Sequence, residues 1–188
     1  LSKNLAGKHQ PEDDYAQTLK RVVSPSGWDL ESLSNDAPTL AVFLRHLGCV
    51  YCRESLAELE RLRPQIEDNG VRIALVHMGS DEQGKALLQN FGLDDLVRFS
   101  DPDRRLYAAF GLERMTMGGM LNPRTLIGMI KTGFTSKVPL RRSVGRVVGD
   151  SLQMPGVFLI RDGRIVGDFR PDHLSEHADY LEMAALEC

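Results

Sequence analysis

Cys49 and Cys52, separated by two residues, are the side chains of this sequence best suited to covalent chemistry. A cysteine reacts as its thiolate, and because a free thiol has a pKa near ~8.5, a reactive cysteine needs its anion stabilised locally. Cys49 follows a buried-strand pattern and precedes a helical one, which places it at the positively polarised start of a helix. Cys52 lies on the same helix face and could attack an oxidised Cys49. The spacing therefore indicates a redox-active pair.

Three basic residues, Arg45, His46 and Arg53, lie close to the pair along the chain. Their positive charge would favour a thiolate, and His46 could also move a proton. Two other interpretations stay open: both cysteines could be structural, or together with His46 they could bind zinc. No second Cys-x-x-Cys occurs in the sequence, so a redox role is favoured and no metal site is expected.

The apolar pattern places the pair in an alternating series of strands and helices. Apolar runs at 39–44, 71–77 and 96–99 predict strands that are buried on both faces, and each is followed by a helical pattern. This order is typical of a parallel sheet with right-handed crossover connections. Pro64, inside the helix that follows Cys49, predicts a kink or an early end of that helix.

Near the C-terminus the pattern changes from parallel to antiparallel. Asp162-Gly163 lies between the apolar runs 156–160 and 164–169, a strong signal for a hairpin. A closing helix is expected over 174–186, with Ala178, Leu181 and Ala185 on its inner face. The predicted fold class is therefore α/β, a three-layer sandwich with a central mixed sheet and helices on both faces.

Three further segments complete the organisation. Residues 1–27 are predicted to be an N-terminal extension with a helix at 11–23, and 28–188 the main domain. Within that domain, 112–150 is an insertion with seven Lys and Arg, two acidic residues and four methionines, including a short helix from Asn122. It is interpreted either as a cover for the core or as a basic, adaptable wall that accepts an anionic or apolar substrate.

The overall composition excludes several function classes. The 188 residues carry a net charge of −3 and include no apolar stretch long enough to span a membrane, so neither nucleic acid nor a membrane is an expected partner. The first 25 residues show no signal-peptide pattern. Three cysteines argue against a disulfide-stapled secreted domain, and a cytoplasmic protein is expected.

His173 and His177 have a metal-binding spacing, but a solvated helix face is favoured.

Four motifs together resemble one branch of a known superfamily. These are Arg45-His46 followed by Cys49-x-x-Cys52, the run Val76–Asp81, the run Phe99–Asp103, and Gly149-Asp150-x-x-Gln153 before Met154-Pro155. They resemble the thioredoxin-fold superfamily, and most closely the peroxiredoxin-like branch of the alkyl-hydroperoxide-reductase/thiol-specific-antioxidant family. The likeness covers about residues 28–170. The sequence departs from typical peroxiredoxins at Val42 and His46, which replace the Pro and Thr of Pro-x-x-x-Thr-x-x-Cys.

The resemblance implies a thiol-dependent reductase of a peroxide or a disulfide, regenerated by an external thiol such as thioredoxin or glutathione. Cys49, Cys52, Arg45 and His46 are the candidate catalytic residues, and Arg53, Met154 and Pro155 the candidate substrate-binding residues. No cofactor is expected, and a homodimer is compatible with the family. A thioredoxin-type disulfide reductase and a non-catalytic redox-sensing module remain alternatives.

Two further features stay open at this point. Cys188 is interpreted as incidental, or as a resolving thiol from another subunit. The Met154–Pro155 bond is interpreted as either cis or trans.

Overall fold

One mixed sheet of five strands lies at the centre of the protein, in the spatial order β3-β2-β1-β4-β5. Strands β1, β2 and β3 run parallel to one another, whereas β4 pairs antiparallel with both β1 and β5. The computed structural model describes residues 12–115, 148–172 and 176–187. Its strands are β1 (Thr39–Phe43), β2 (Arg72–His77), β3 (Val97–Ser100), β4 (Gly156–Arg161) and β5 (Arg164–Phe169).

Helices cover both faces of this sheet. Helices α3, α4 and α6 contribute to the apolar core on one face, and α1, α2 and α5 to the core on the other. Their bounds are α1 (Glu12–Arg21), α2 (Leu30–Asp36), α3 (Val50–Asp68), α4 (Asp81–Gln89), α5 (Arg105–Ala109) and α6 (Tyr180–Ala184), the last followed by a 3-10 turn (Ala185–Glu187). The predicted three-layer α/β sandwich is confirmed.

The central strand β1 shows why the sheet is buried on both sides. Leu40 and Val42 enter the core shared with α3, while Ala41 and Phe43 enter the opposite core. The Phe43 ring packs against the rings of Tyr107, Phe110 and Phe158 at centroid distances of 4.8–5.4 Å. Every residue of β1 is buried, so successive side chains alternate between two apolar layers, as the continuous apolar run predicts.

The predicted hairpin at the C-terminal end of the sheet is also confirmed. Asp162 and Gly163 both have positive φ, of 50° and 70°, the backbone of a type I′ turn. The tip is anchored to the end of α2, since the amide of Asp162 donates to the carbonyl of Ser34 and the amide of Gly163 to its hydroxyl. This contact links the hairpin to the helical layer.

Helix α2 occupies a segment that the sequence pattern assigned partly to a polar turn. Asp29 caps it, because its carboxylate accepts the Ser32 amide at 2.8 Å, while the Ser32 hydroxyl accepts the Asp29 amide at 3.3 Å. This reciprocal cap satisfies two backbone donors at the helix start. Leu30 and Leu33 are both completely buried, and their burial stabilises a helix of only seven residues.

The early end predicted at Pro64 is wrong. Helix α3 continues through this proline to Asp68. A proline removes one helical hydrogen bond, but the apolar face of α3 stays packed on both sides of it. Leu62 and Ile66, which flank Pro64, are 6% and 0% exposed. The free energy gained by burying this apolar face outweighs the cost of the hydrogen bond that Pro64 removes.

The closing helix is shorter than predicted. Residues 176–179 are not helical, and α6 begins only after Asp179, whose carboxylate accepts the amides of Leu181 and Glu182. The fully buried face consists of Tyr180, Met183 and Ala184. Leu181 is half-buried and packs against the same core, whereas Ala185 is exposed, so the prediction of Ala185 as an inner residue is wrong. Ala178 is buried, but in the extended segment before the helix.

Parts of the predicted organisation fall outside these elements. The helix predicted at 11–23 is observed as α1, whose Leu19 is buried in the core with α2 and α5. The boundary at residue 27 stays a prediction. Most of the 112–150 insertion, with the helix expected from Asn122, lies outside the described residues, as do His173 and Cys188. Across the described ranges, no helix is both long and apolar enough to span a bilayer.

Gly84 in α4 lies directly against the buried His77, which gives the first prediction. A Cβ at this position would lie 2.1 Å from Nε2 of His77. In an ordinary helix, glycine to alanine stabilises by roughly 0.5–1 kcal/mol, but here the overlap forces repacking. We expect Gly84→Ala to lower the free energy of unfolding by about 1–3 kcal/mol in urea denaturation.

Lys85→Ala, at an exposed position of the same helix, is the matched control and should change stability little. Adding Gly84→Ala to a His77→Ala background should remove the penalty, because the clashing ring is then absent. A stabilising effect of Gly84→Ala alone would show that the contact is not rigid.

Candidate active site

The end of β1 and the start of α3 place Cys49 beside the sheet. Cys49 is the N-cap residue of α3, and its carbonyl accepts the amide of Arg53 at 3.2 Å. The Tyr107 hydroxyl donates to the carbonyls of Leu44 and Val76, at 2.5 Å and 3.2 Å, and so joins the ends of β1 and β2. Cys49 therefore lies at the N-terminus of a 19-residue helix, on a rigid support.

The predicted pair is brought together and buried. Cys49 and Cys52 are 4% and 5% exposed, and both are free thiols. The Cys52 side chain hydrogen bonds to the Cys49 sulfur, and this bond is the main cause that lowers the pKa of Cys49 to about 6, against the opposing effect of burial. Arg45 adds to the effect, with its Nη1 4.0 Å from the Cys49 Sγ. Cys49 is thus largely a thiolate at pH 7.

The two sulfurs differ in their proton affinity. The same hydrogen bond, together with complete burial, raises the pKa of Cys52 well above its ordinary value. The Cys52 Sγ also accepts the backbone amide of Arg45 at 3.2 Å. The arrangement therefore favours the anion on Cys49, with Cys52 as a neutral thiol that holds a proton next to it.

Arg45 is the basic residue that faces the pair. Its side chain is buried, and its Nη2 donates to the carbonyl of Ser151, far along the chain. No carboxylate within the described ranges forms an ion pair with it. The guanidinium is thus held by a neutral carbonyl and keeps its positive charge available to the Cys49 sulfur.

The other two basic residues have different surroundings. His46 is buried, and burial, assisted by the charge of Arg45, lowers its pKa to about 4. This shift favours a neutral imidazole at pH 7 over the positive charge expected from the sequence, and the role of His46 stays a prediction. Arg53 is 3% exposed, and its Nε and Nη1 have no hydrogen-bond partner among the described residues. Neither side chain lines the pocket beside the sulfurs.

A small pocket opens onto the two sulfurs. It encloses about 40 Å³, room for a few water molecules. Its inner wall is formed by the end of β1, the start of α3 and the start of β4, and its outer wall by the segment after β5. The lining residues are Val42–Arg45, Cys49, Tyr51, Cys52, Ser55, Pro155–Val157, Phe169, Pro171, Glu176–Ala178 and Tyr180.

Pro155 lies on this pocket wall, as predicted, whereas Met154 packs against the core beside it. The Met154–Pro155 bond is trans. The carbonyl of Glu113 accepts the amide of Met154, which ties the strand entry to the start of the insertion. Of the seven candidate residues, the structure brings Arg45, Cys49, Cys52 and Pro155 to one pocket.

The outer wall was missed by the sequence analysis, because a continuous helix was predicted over it. Tyr180 is buried and hydrogen bonds to Ser55 on α3, next to Cys52. His177 lies 4.0 Å from Glu54 at the mouth of the pocket. Asp179 followed three residues later by Glu182 is a helix-start signal that could have placed the extended segment correctly.

No group of three metal-ligating side chains occurs within the described ranges. The Cys49–Cys52–His46 zinc hypothesis also conflicts with the hydrogen bonding, since the Cys52 sulfur is used by Cys49 and the Arg45 amide. The arrangement favours nucleophilic thiol chemistry over metal coordination.

Comparison of the sequence with known families and proteins gives consistent matches. The family model described as AhpC/TSA antioxidant enzyme matches residues 58–173, a range that begins after Cys52. The prostamide/prostaglandin F synthase of Salmo salar is 31% identical over 145 residues, covering 77% of this chain and 70% of that protein. The Homo sapiens protein of the same name is 29% identical, covering 77% of this chain and 71% of its own length.

Solved structures match over most of the chain. Peroxiredoxin Q of Xanthomonas campestris superposes with a TM-score of 0.62 at 19% identity, covering 92% of both chains. The reduced Prx3 of Vibrio vulnificus, in complex with hydrogen peroxide, gives a TM-score of 0.61 at 16% identity, covering 88% of this chain and 92% of that one. The fold is therefore the thioredoxin-like α/β fold of the peroxiredoxins.

The hydrogen bond between the sulfurs makes a specific prediction about acidity. We expect Cys52→Ala to raise the pKa of Cys49, because the donor that contributes most to stabilising its thiolate is lost. Cys52→Ser keeps a donor at the same place and should restore much of the effect. The rate of Cys49 alkylation against pH measures both variants. Equal profiles for the Ala and Ser variants would contradict the assignment of Cys52 as donor.

Proposed function

The chain belongs to the AhpC/TSA antioxidant-enzyme family, and from this premise we propose that it is a thiol-dependent reductase of small peroxides acting through Cys49 and Cys52. The observation that carries the proposal is the buried Cys49 sulfur, which lies next to Cys52 and the Arg45 guanidinium in a small, mostly apolar pocket. The O–O group of a small peroxide fits the space of about 40 Å³ beside this sulfur.

In the first step, the Cys49 thiolate attacks one oxygen of the O–O bond. A Cys49 sulfenic acid forms, the O–O bond breaks, and the second oxygen leaves as an alcohol or water after taking a proton. The sulfur is oxidised by two electrons, and the peroxide is reduced by two. The pocket leaves room for only a few water molecules beside the sulfur, which limits side reactions.

In the second step, the neighbouring Cys52 sulfur attacks the sulfenic acid. A Cys49–Cys52 disulfide forms, and the sulfenic oxygen leaves as water together with the Cys52 proton. An external dithiol, or two monothiols, then reduces the disulfide and is itself oxidised. Thioredoxin or glutathione has the required chemistry, and both are found in the reducing compartment that we propose for this protein, the cytoplasm.

The remaining candidate residues are assigned supporting roles. Arg45 stabilises the thiolate and the charge that develops on the leaving oxygen. His46, neutral at pH 7, acts as a hydrogen-bonding group and not as a cation. Pro155 shapes the pocket wall, with Met154 behind it. Arg53, which does not line the pocket, supplies a buried positive charge on α3, the helix that carries Cys52.

A second candidate substrate is an endoperoxide, favoured by the relatives named prostamide/prostaglandin F synthase. Attack of Cys49 on a cyclic O–O bond opens the ring, leaves one oxygen on sulfur as a sulfenate ester and the other as a hydroxyl. Cys52 then displaces the ester oxygen as a second hydroxyl and closes the disulfide. The product is a diol, and the same two electrons are consumed.

Turnover of three substrates separates these functions: an organic hydroperoxide, a prostaglandin-type endoperoxide and a protein disulfide, each with a thioredoxin reducing system. We expect one of the two peroxide classes to react fastest. Cys49→Ser should lower the turnover of that fastest substrate by more than ~100-fold, because the nucleophile is lost. Cys52→Ser should allow a single turnover that leaves a sulfenic acid at Cys49, detected by a dimedone adduct in mass spectrometry.

Cys188→Ser is the matched cysteine control and should leave turnover unchanged. Full activity of Cys49→Ser would contradict the proposed nucleophile. A protein disulfide as the fastest substrate would instead support a disulfide reductase. Loss of activity in Cys188→Ser, with a peptide linking Cys188 to Cys49, would replace Cys52 as the resolving residue.

A further inference from the structure

The residues of the motif Gly149-Asp150-x-x-Gln153 do not line the pocket. They flank the Ser151 carbonyl, which holds Arg45, the positively charged residue beside the Cys49 sulfur. We propose that Asp150 is a positioning residue, which fixes the turn whose Ser151 carbonyl holds Arg45 against the Cys49 sulfur. This inference rests on the proposed function, because it concerns the stability of the nucleophilic thiolate. It assigns a role to an acidic residue that does not touch either sulfur.

Asp150 is the centre of a small charged network. Its Oδ2 accepts Nη1 of Arg104 at 2.7 Å and Nε of Arg114 at 2.6 Å. Its Oδ1 accepts the amide of Leu152 at 2.9 Å. These bonds, led by the Leu152 amide, hold the pKa of the Asp150 carboxyl below its usual range. One carboxylate thus joins the loop before α5, the start of the insertion and the turn at 150–153.

Gln153 completes the turn from the other side. Its amide donates to the carbonyl of Asp150 at 3.1 Å, and its buried Nε2 donates to the carbonyl of Leu112 at 2.8 Å. The Met115 amide donates to the carbonyl of Leu152 at 2.7 Å. The turn is therefore clamped against residues 112–115 by backbone and side-chain bonds that flank Ser151.

Gly149 allows this turn to approach the core. It has a φ of +103°, and an added Cβ would lie 3.0 Å from Cβ of Met78. Just before it, the carbonyl of Val148 accepts the amide of Leu47, two residues after Arg45. The turn and the loop that carries Arg45 are thus in direct contact, which explains why a glycine precedes the aspartate.

The Ser151 carbonyl is the anchor of the Arg45 side chain. Nη2 of Arg45 donates to it, while Nη1 points to the Cys49 Sγ at 4.0 Å. Within the described part of the chain, Nε of Arg45 has no hydrogen-bond partner. With one end of the guanidinium fixed by this carbonyl, a shift of the turn would move the other end away from the sulfur.

Asp150→Asn tests this role, because the substitution can change the pKa of Cys49 in two ways that have opposite signs. Asn keeps an acceptor for the Leu152 amide but loses the ion pairs with Arg104 and Arg114. Removal of a nearby negative charge would by itself lower the pKa of Cys49, whereas release of Arg45 would raise it. We expect the alkylation rate of Cys49 at about pH 5 to fall roughly three- to tenfold. The rates should converge above about pH 9, where both proteins are fully ionised.

Asp95→Asn is the matched control, since it removes the carboxylate that accepts two hydrogen bonds from Arg63, at 2.7 Å and 2.5 Å, and so breaks an ion pair on another part of the surface. It should leave the alkylation profile unchanged. In an Arg45→Met background, Asp150→Asn should no longer raise the pKa of Cys49, because the group through which it acts is absent. The groups that also face the sulfur, Cys52, Glu176 and His177, are unchanged in all these variants.

The outcomes separate the two proposals. An unchanged or lowered pKa of Cys49 in Asp150→Asn would overturn the positioning role, even if the wild-type thiol is acidic and active. A rise that persists in the Arg45→Met background would also overturn it. An ordinary thiol pKa in the wild-type protein would instead contradict the proposed function. Circular dichroism of each variant identifies any that fails to fold.

Discussion

The whole site depends on keeping an anion on a sulfur that is almost fully removed from water. Burial alone would raise the pKa of Cys49, since a charge loses its hydration in the interior. Three features offset this cost: the start of helix α3, the proton of Cys52 and the guanidinium of Arg45. The first two come from helix α3 and the third from the loop after β1, which the turn before β4 holds in place. The pKa of Cys49 therefore depends on the packing of β1, α3 and that turn.

The same constraint limits what can reach the sulfur. The pocket wall beyond the helix start is mainly apolar and is closed by the segment that ends at Tyr180. A substrate must therefore present a small, electrophilic group and tolerate an apolar surface around it. The O–O bond of the proposed peroxide substrate satisfies both conditions. The burial of the Cys49 sulfur therefore limits the size of the substrate, and it also creates the cost that the groups stabilising the thiolate must offset.

The sequence predicted those features that depend on neighbouring residues. The apolar run of β1 and the Asp162-Gly163 turn each carry their signal within a few positions, and each is confirmed. Helix α2 was missed because its stability comes from the burial of Leu30 and Leu33 against distant residues. The contact of Arg45 with Ser151 joins positions 106 residues apart, and no local pattern can indicate it. The roles of the site residues stay predictions.

The outer wall of the pocket has a consequence for how the protein is made. Residues Glu176 to Tyr180 leave the ribosome long after Cys49, and β1 must also wait for its antiparallel partner β4. Until both arrive, the thiol lacks its cover and one neighbour of its strand. The nascent chain therefore passes through a stage in which the sulfur is open to solvent oxidants, before the finished molecule restricts access to it. A reducing environment would protect the thiol during that interval.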